Sequence, residues 1–407
     1  MAHLAAALEL VEAQPFSVGR RQTETDLWLS LGAALIAPKG YAANEVREAF
    51  AHARERSHET GDRKQLFLAL RGLWNCHLLR TELREANALA EQVFELAQQF
   101  GTAERMLVAH RVMATSLFHL GRIEDARRLF TAGLAFWDPG LSADYTVAYG
   151  EDPGLFCCVY AAWCDDFVGF RDEALVKMRR SLDHARGQPN RYGLAVALSY
   201  AAVLHQFRRE PECVANLAQE GIELCREQGI VQWLAHHQIC RGWALAVEGH
   251  HSDGLRELRE GIAAWQGIKM QLMMPYFSML LAQTHAAAGQ IDSALQALAE
   301  TDGPVARTGH ETFEAIRANQ RGELLLGASA AKRAQAERQF VRCLELARSQ
   351  RARSWELRAA TSLARLWAHQ GKRTQARDLL APVYGWFTEG FDTADLKDAK
   401  ALLDELG

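Results

Sequence analysis

Apolar positions recur three and four residues apart through almost the whole chain, the spacing of amphipathic helices. The clearest unit is Val231–Gly267, two such stretches closed by Gly249 and Gly267. Gly242, Gly254 and Gly261 fall inside these stretches. Each glycine in a helix interior costs about 0.5–1 kcal/mol relative to alanine, so close helix–helix approach is the expected reason for three of them. Their offsets, 12 and then 7, recur at Ala114/Ala126/Gly133, Ala162/Ala174/Ser181, Ala202/Val214/Gly221, Ala282/Ala294/Thr301 and Ala364/Ala376/Val383, with a stretched copy at Gly322/Ala336/Cys343. First members at 114, 162, 202, 242, 282, 322 and 364 define a period of about 40 residues. A fixed period of this length marks a stack of helical hairpins, in which each unit buries its apolar face against its neighbours.

On this register residues 1–407 form one solenoid of about nine hairpins. Residues 1–101 are its diverged start, where Trp74 stands at a position that later units give to a small residue. A regular hairpin covers 102–137, regular hairpins continue over 153–390, and 391–407 supplies a capping helix. The 48-residue first step leaves an insertion at 138–153 whose prolines, glycines and aspartates predict a loop, ended by Asp152 as a helix cap before Pro153. Asp302–Gly309 is likewise expected to be a loop, Pro38–Gly40 a turn, and Pro382 a kink in the last long helix. The helix at 3–14 resembles half of a preceding hairpin, which implies a chain that continues upstream.

Small residues at three fixed sites, with Gly121, Gly169, Gly249, Gly289 and Gly371 seven residues after the first, resemble the tetratricopeptide code. The period is longer than that family's usual ~34 residues. The resemblance implies an all-α, right-handed superhelical solenoid. A narrower resemblance rests on AYGEDPG (148–154), YAAVLHQFRRE (200–210), RGWALAVEG (241–249) and above all the segment 355–406. These are similar to the carboxy-terminal repeat region of bacterial multidomain predicted ATPases, where an ATPase module precedes the repeats, often with a nucleotide cyclase or DNA-binding domain upstream. That likeness implies a sensor or scaffold arm of a signalling ATPase. It lends no activity, because no G-x-x-x-x-G-K-[ST] phosphate loop occurs.

Composition narrows the classes further. A net charge of −4 with basic residues scattered among acidic ones opposes a nucleic-acid footprint. The longest uncharged apolar run, Leu155–Cys164, is too short to span a bilayer. Eight cysteines without a CxxC pair point to a reduced, cytoplasmic chain. His236, His237 and Cys240, with His250 and His251 in the next unit, lack a converging ligand set, and surface histidines beside a buried cysteine are expected. The pairs Asp165–Asp166 and Glu151–Asp152 consist of adjacent residues, which point apart on a helix. No catalytic residue, metal ligand or cofactor is therefore expected, and the chain is read as a non-enzyme.

The remaining signal is the concave face. In tetratricopeptide arrays the first helix of each hairpin lines it, and positions flanking the small residue face the ligand. Carried over by position, this gives a partner-binding band of Arg111, Phe118, Phe156, Trp163, Asp166, Gln206, His236, Trp243, Tyr276, Gln283, Asn319, Arg358 and Arg365. Aromatic and arginine side chains mixed with polar groups suit a protein or peptide partner. The expected function is a non-catalytic protein- or effector-binding module of bacterial signalling or transcriptional control, regulating a linked or partner ATPase or cyclase. A free-standing adaptor and the non-catalytic part of an ATPase or cyclase are the alternatives. No direct nucleic-acid or membrane partner is expected.

Overall fold

A computed structural model describes residues 2–15, 17–40 and 42–407, and among these it contains helices and turns but no strand. Nine antiparallel hairpins follow one another at 18–60, 63–100, 103–134, 153–187, 191–228, 231–267, 274–299, 314–350 and 353–384, numbered one to nine below. Helix Ala2–Glu12 precedes them, and helix Ala394–Leu406 packs on both helices of hairpin nine. The chain is thus an all-α solenoid of tetratricopeptide-like hairpins.

The glycines of hairpin six do what their cost requires. A Cβ on Gly242 would lie 2.6 Å from the Leu258 backbone nitrogen and 2.7 Å from the Gly254 carbonyl oxygen. One on Gly254 would lie 2.5 Å from the Gly242 carbonyl oxygen. The two backbones are in contact, so no flexible neighbour can make room. In five hairpins the turn after the first helix uses a left-handed glycine, Gly121, Gly169, Gly249, Gly289 and Gly371, whereas in hairpin eight Ser329 at the same site is extended. Thr81 and Arg209 hold the same site with φ of 60° and 64°. Thr81 fixes the register of hairpin two, with Trp74 at the position of a small residue, its Nε1 donating to Ser116 Oγ at 2.8 Å.

Two expected loops are helical. The insertion holds a 3-10 turn, Pro139–Leu141, and a helix, Ser142–Tyr149. Its breakers stand at the ends of this helical segment: Asp138 accepts from the Gly140 amide, Pro139 opens the turn, and Gly150 closes the helix in the left-handed conformation. Helix Asp302–Thr308 uses Pro304 in its first turn and Gly309 as its stop. Helix Val18–Lys39 runs through Pro38 to a stop at Gly40, and Pro382 sits inside Arg373–Tyr384, which ends two residues later. Asp152 caps helix Pro153–Val168, accepting from the Gly154 and Leu155 amides at 2.8 and 3.3 Å.

The winding is tight. The Gln271 amide donates to the Leu79 carbonyl at 3.0 Å, and the Glu311 amide to the His119 carbonyl at 3.1 Å. Thr312 Oγ1 donates to the Phe118 carbonyl at 2.5 Å, and Ser354 Oγ donates to the Asp166 carbonyl. Each contact joins positions about 190 residues apart, so hairpins two, three and four meet the starts of hairpins seven, eight and nine. At about 40 residues per unit, the superhelix returns onto itself after roughly five hairpins. Facing aromatic rings fill the middle of the inner face. Phe167 meets Trp355 at 4.8 Å, Phe207 meets Tyr276 at 5.6 Å, and Trp163 stacks on Tyr200 at 4.4 Å between ring centres.

Candidate functional site

The aromatic plug divides the inner face into two separate concavities. Towards the amino-terminal end, Arg111, Phe156, Trp163, Trp233, His236 and Trp265 line an inner cavity of about 60 Å³. Asn75, Tyr192, Gln232 and Met270 also belong to its wall and to a wider mouth of about 750 Å³, which reaches Arg71 and the insertion at Val147–Gly150. At the cavity rim the buried Glu151 carboxylate accepts from Arg71 Nη2 at 2.7 Å and Arg111 Nη2 at 3.1 Å. The Arg111 guanidinium lies between the rings of Trp74 and Phe156, 4.7 Å from each centre, a cation–π arrangement that holds it in place. His236 bonds Ser199 Oγ through Nδ1 at 2.6 Å, and burial followed by the neighbouring His237 pushes its pKa down to about 3.

Towards the carboxy-terminal end, a groove of about 470 Å³ is lined by Gln206, Trp243, Gln283, Asn319, Glu323 and Arg365, among others. Its walls carry a ladder of side-chain amides. Trp243 Nε1 and Gln206 Nε2 both donate to Gln283 Oε1, at 2.6 and 3.2 Å, and Tyr276 donates to Gln206 Oε1 at 3.2 Å. Asn319 donates to Glu323 at 2.9 Å, while Arg365 is exposed on the rim. The floor is ionic. Asp395 receives Arg358 at 2.6 Å and Arg171 at 3.1 Å, with Arg209 at 3.4 Å. Burial alone would raise the Asp395 pKa, but Arg358, Arg171 and Arg209 hold it well below the usual carboxylate range. Asp166, fully buried with Arg171 Nε at 3.2 Å, is pushed up by its burial against the pull of Arg171 and Arg208.

The predicted band is therefore split rather than continuous. Arg111, Phe156, Trp163 and His236 line the inner cavity; Gln206, Trp243, Gln283, Asn319, Arg358 and Arg365 line the groove. Phe118 and Tyr276 are fully buried in the plug, and Asp166 is an internal ion-pair partner, so these three present nothing to a partner in this conformation. The expectation of surface histidines is corrected: His236 and His237 are buried, because hairpins five and seven close over their helix. The adjacent aspartates do point apart, Asp165 to Arg127 and Lys177, Asp166 to Arg171.

Arg71, Asn75 and Glu151 were missed. Extending the register to hairpin two places Arg71 three before and Asn75 one after Trp74, the flanking sites that Arg111 and Thr115 hold beside Ala114. Glu151 carries no such signal, since it arrives on the insertion. Among the described residues, His205, Glu210 and Cys213 form the one group that converges like metal ligands. Its core is a histidine–carboxylate clip across the hairpin turn, at 2.5 Å. The clip recurs as His77–Glu82 and as His285–Gln290, where the amide makes the same bond without a carboxylate. That repetition identifies it as a hairpin fastener. No described helix is long and apolar enough to cross a membrane.

No protein-family model matches the chain. It is 22% identical over 344 residues to "Uncharacterized protein R02095" of Rhizobium meliloti (strain 1021), covering 83% of this chain but only 33% of that protein. The chain thus spans about a third of the length of the curated relative it matches. Among solved structures it is similar to a Rap protein complexed with competence and sporulation factor, with a TM-score of 0.54 and 9% identity, covering 84% of this chain and 97% of that one. A STAND signal-transduction ATPase with a tetratricopeptide repeat sensor, from Pyrococcus horikoshii, is more distant at a TM-score of 0.47 and 12% identity, covering 95% of this chain and 54% of that one. The Rap likeness bears on the fold alone.

Proposed function

We propose that the chain is a non-catalytic sensor or scaffold module that takes a protein or peptide segment in its carboxy-terminal groove. The observation that carries this reading is the ladder of Gln206, Gln283, Asn319 and Gln320 beside Arg365. A side-chain amide both donates and accepts, as a peptide unit does, so amides contributed by hairpins five, seven and eight can pair with an extended backbone. The Rap protein with a similar fold is held with a factor, which agrees with the use of such an array as a receptor. The relative's greater length supports a place in a larger chain, and regulation of a linked or partner ATPase in the cytoplasm of a bacterium is the role we infer. An adaptor acting alone is the alternative.

The test is selection of peptides from a random displayed library on the intact chain, followed by affinity measurement against Gln283→Ala and Arg365→Glu. Selected peptides should lose at least tenfold on either variant. Peptides that bind both variants as well as the parent would put the partner surface elsewhere.

A further inference from the structure

The amino-terminal cavity carries chemistry that an amide-lined groove does not explain. Two buried guanidinium groups, Arg71 and Arg111, face one carboxylate, Glu151. Their paired charges leave one positive charge over at the rim of an apolar cavity. Several donors there have no acceptor among the described residues: Arg71 Nε, Arg111 Nε and Nη1, and the indole N–H groups of Trp233 and Trp265. Arg111, Trp233 and Trp265 are each more than nine-tenths buried and all line the cavity. A buried donor without an acceptor costs about 1–3 kcal/mol, more when charged. An arginine fork is moreover matched in shape to a carboxylate.

The carboxylate now on this fork comes from the insertion rather than from the repeat scaffold. The insertion is a thin cover: Val147 is 88% exposed and Leu141 43% exposed. Its side chains reach the scaffold at Tyr149, which donates to Glu104 at 2.6 Å with the Arg71 guanidinium 5.2 Å from its ring centre, and at Thr146, which accepts from Asn190 at 3.2 Å; Tyr145 and Tyr149 are buried. The Arg71–Arg111 pair therefore stands ready to hold a carboxylate, and Glu151 fills that place as a tethered occupant. The inner cavity beyond it, about 60 Å³, has room for several water molecules, since one needs only ~10–15 Å³ of such volume. That is space for a short aliphatic end, walled by tryptophan and phenylalanine.

We propose that this cavity is a binding site for a short-chain aliphatic monocarboxylate, whose carboxylate replaces Glu151 on Arg71 and Arg111 and whose apolar end enters the inner cavity. Binding then releases Glu151 and loosens the insertion at 138–152. The effector site is separate from the partner groove, and the aromatic plug lies between them.

The experiment titrates the intact chain with isovalerate and butyrate, using isovaleramide and butyramide as uncharged controls. The readouts are calorimetry and the fluorescence of the cavity tryptophans. The acids should bind saturably and the amides at least tenfold more weakly. Arg111→Gln should weaken the acids by at least tenfold, and Glu151→Gln, which removes the competing charge, should tighten them by about tenfold. Thermal unfolding of both variants, checked alongside, separates loss of the site from loss of the fold. Hydrogen exchange of amides 142–151 should quicken on isovalerate binding. Equal binding of acid and amide, no saturable binding of either acid, weaker binding by a folded Glu151→Gln chain, or binding with unchanged exchange in the insertion would each overturn the proposal.

Discussion

The two concavities are built from the same repeat positions and have opposite interiors. At the amino-terminal end the inner positions carry tryptophan and phenylalanine around one over-supplied pair of arginines. At the carboxy-terminal end the equivalent positions carry amides, and their charges cancel in a dense lattice of arginine and aspartate. The difference lies in what closes each end. The capping helix brings Asp395 to Arg171, Arg209 and Arg358, so the carboxy-terminal end is locked by charge from within the stack. The amino-terminal end is closed by an insertion that contributes one carboxylate to two arginines. The first joint is made by the stack and its cap, the second by a part inserted from outside the repeat.

The sharpest way to break this comparison is at Arg171, whose guanidinium is fully buried between Asp166 and Asp395. Removing one partner of a buried ion pair leaves an uncompensated charge and costs about 3–5 kcal/mol. Arg171→Met should lower unfolding stability in urea by that amount and quicken hydrogen exchange over 394–406, and Asp166→Asn in the same chain should restore part of the loss. A variant as stable as the parent would mean that apolar packing of the cap, not the ion lattice, closes this end.

Acid should separate the two ends. Burial holds His236 near 3 and His237 near 4 in the folded chain, against about 6.5 for an ordinary histidine. As pH falls below about 6.5, the unfolded chain binds protons that the folded chain refuses. Stability is therefore complete above that value and declines until the folded values are reached. At pH 5 the loss is about 2 kcal/mol for each such histidine. His310, near 3 for the same reason of burial, adds to it at the seam with His119. Asp395 runs the other way on the scale: its folded value lies below the ordinary carboxylate range, so its contribution survives until pH falls below about 4. Unfolding midpoints between pH 7.5 and 5 should fall steeply for the parent and less for His237→Gln. Equal slopes would show that His237 takes up its proton without leaving the core.

Much of this was legible because the repeat states it many times over. Ala114, Ala162, Ala202, Ala282 and Ala364 are all fully buried, as a small residue at a helix crossing must be, and five turn glycines carry the positive φ their spacing implied. What could not be read was the pitch. An open and a closed superhelix use the same local code, and only contacts about 190 residues apart, such as Thr312 on Phe118, decide between them. Closure is why Phe118, Tyr276 and Asp166 became interior. Periodicity also says nothing about an insertion, and so Glu151, which completes the amino-terminal site, had no pattern to betray it.

The smallest expected effect on stability isolates the groove. Arg365 is exposed, and substitutions at such sites are usually within ±0.5 kcal/mol. Arg365→Ala should leave the urea midpoint unchanged while weakening groove-selected peptides, and isovalerate binding at the other end should not move. A shared loss at both sites would couple them through the plug of Trp163, Tyr200 and Phe207, whose rings touch in series across the inner face. The two ends would then be one allosteric unit rather than two independent sites, since coupling requires that each ligand bias the same arrangement.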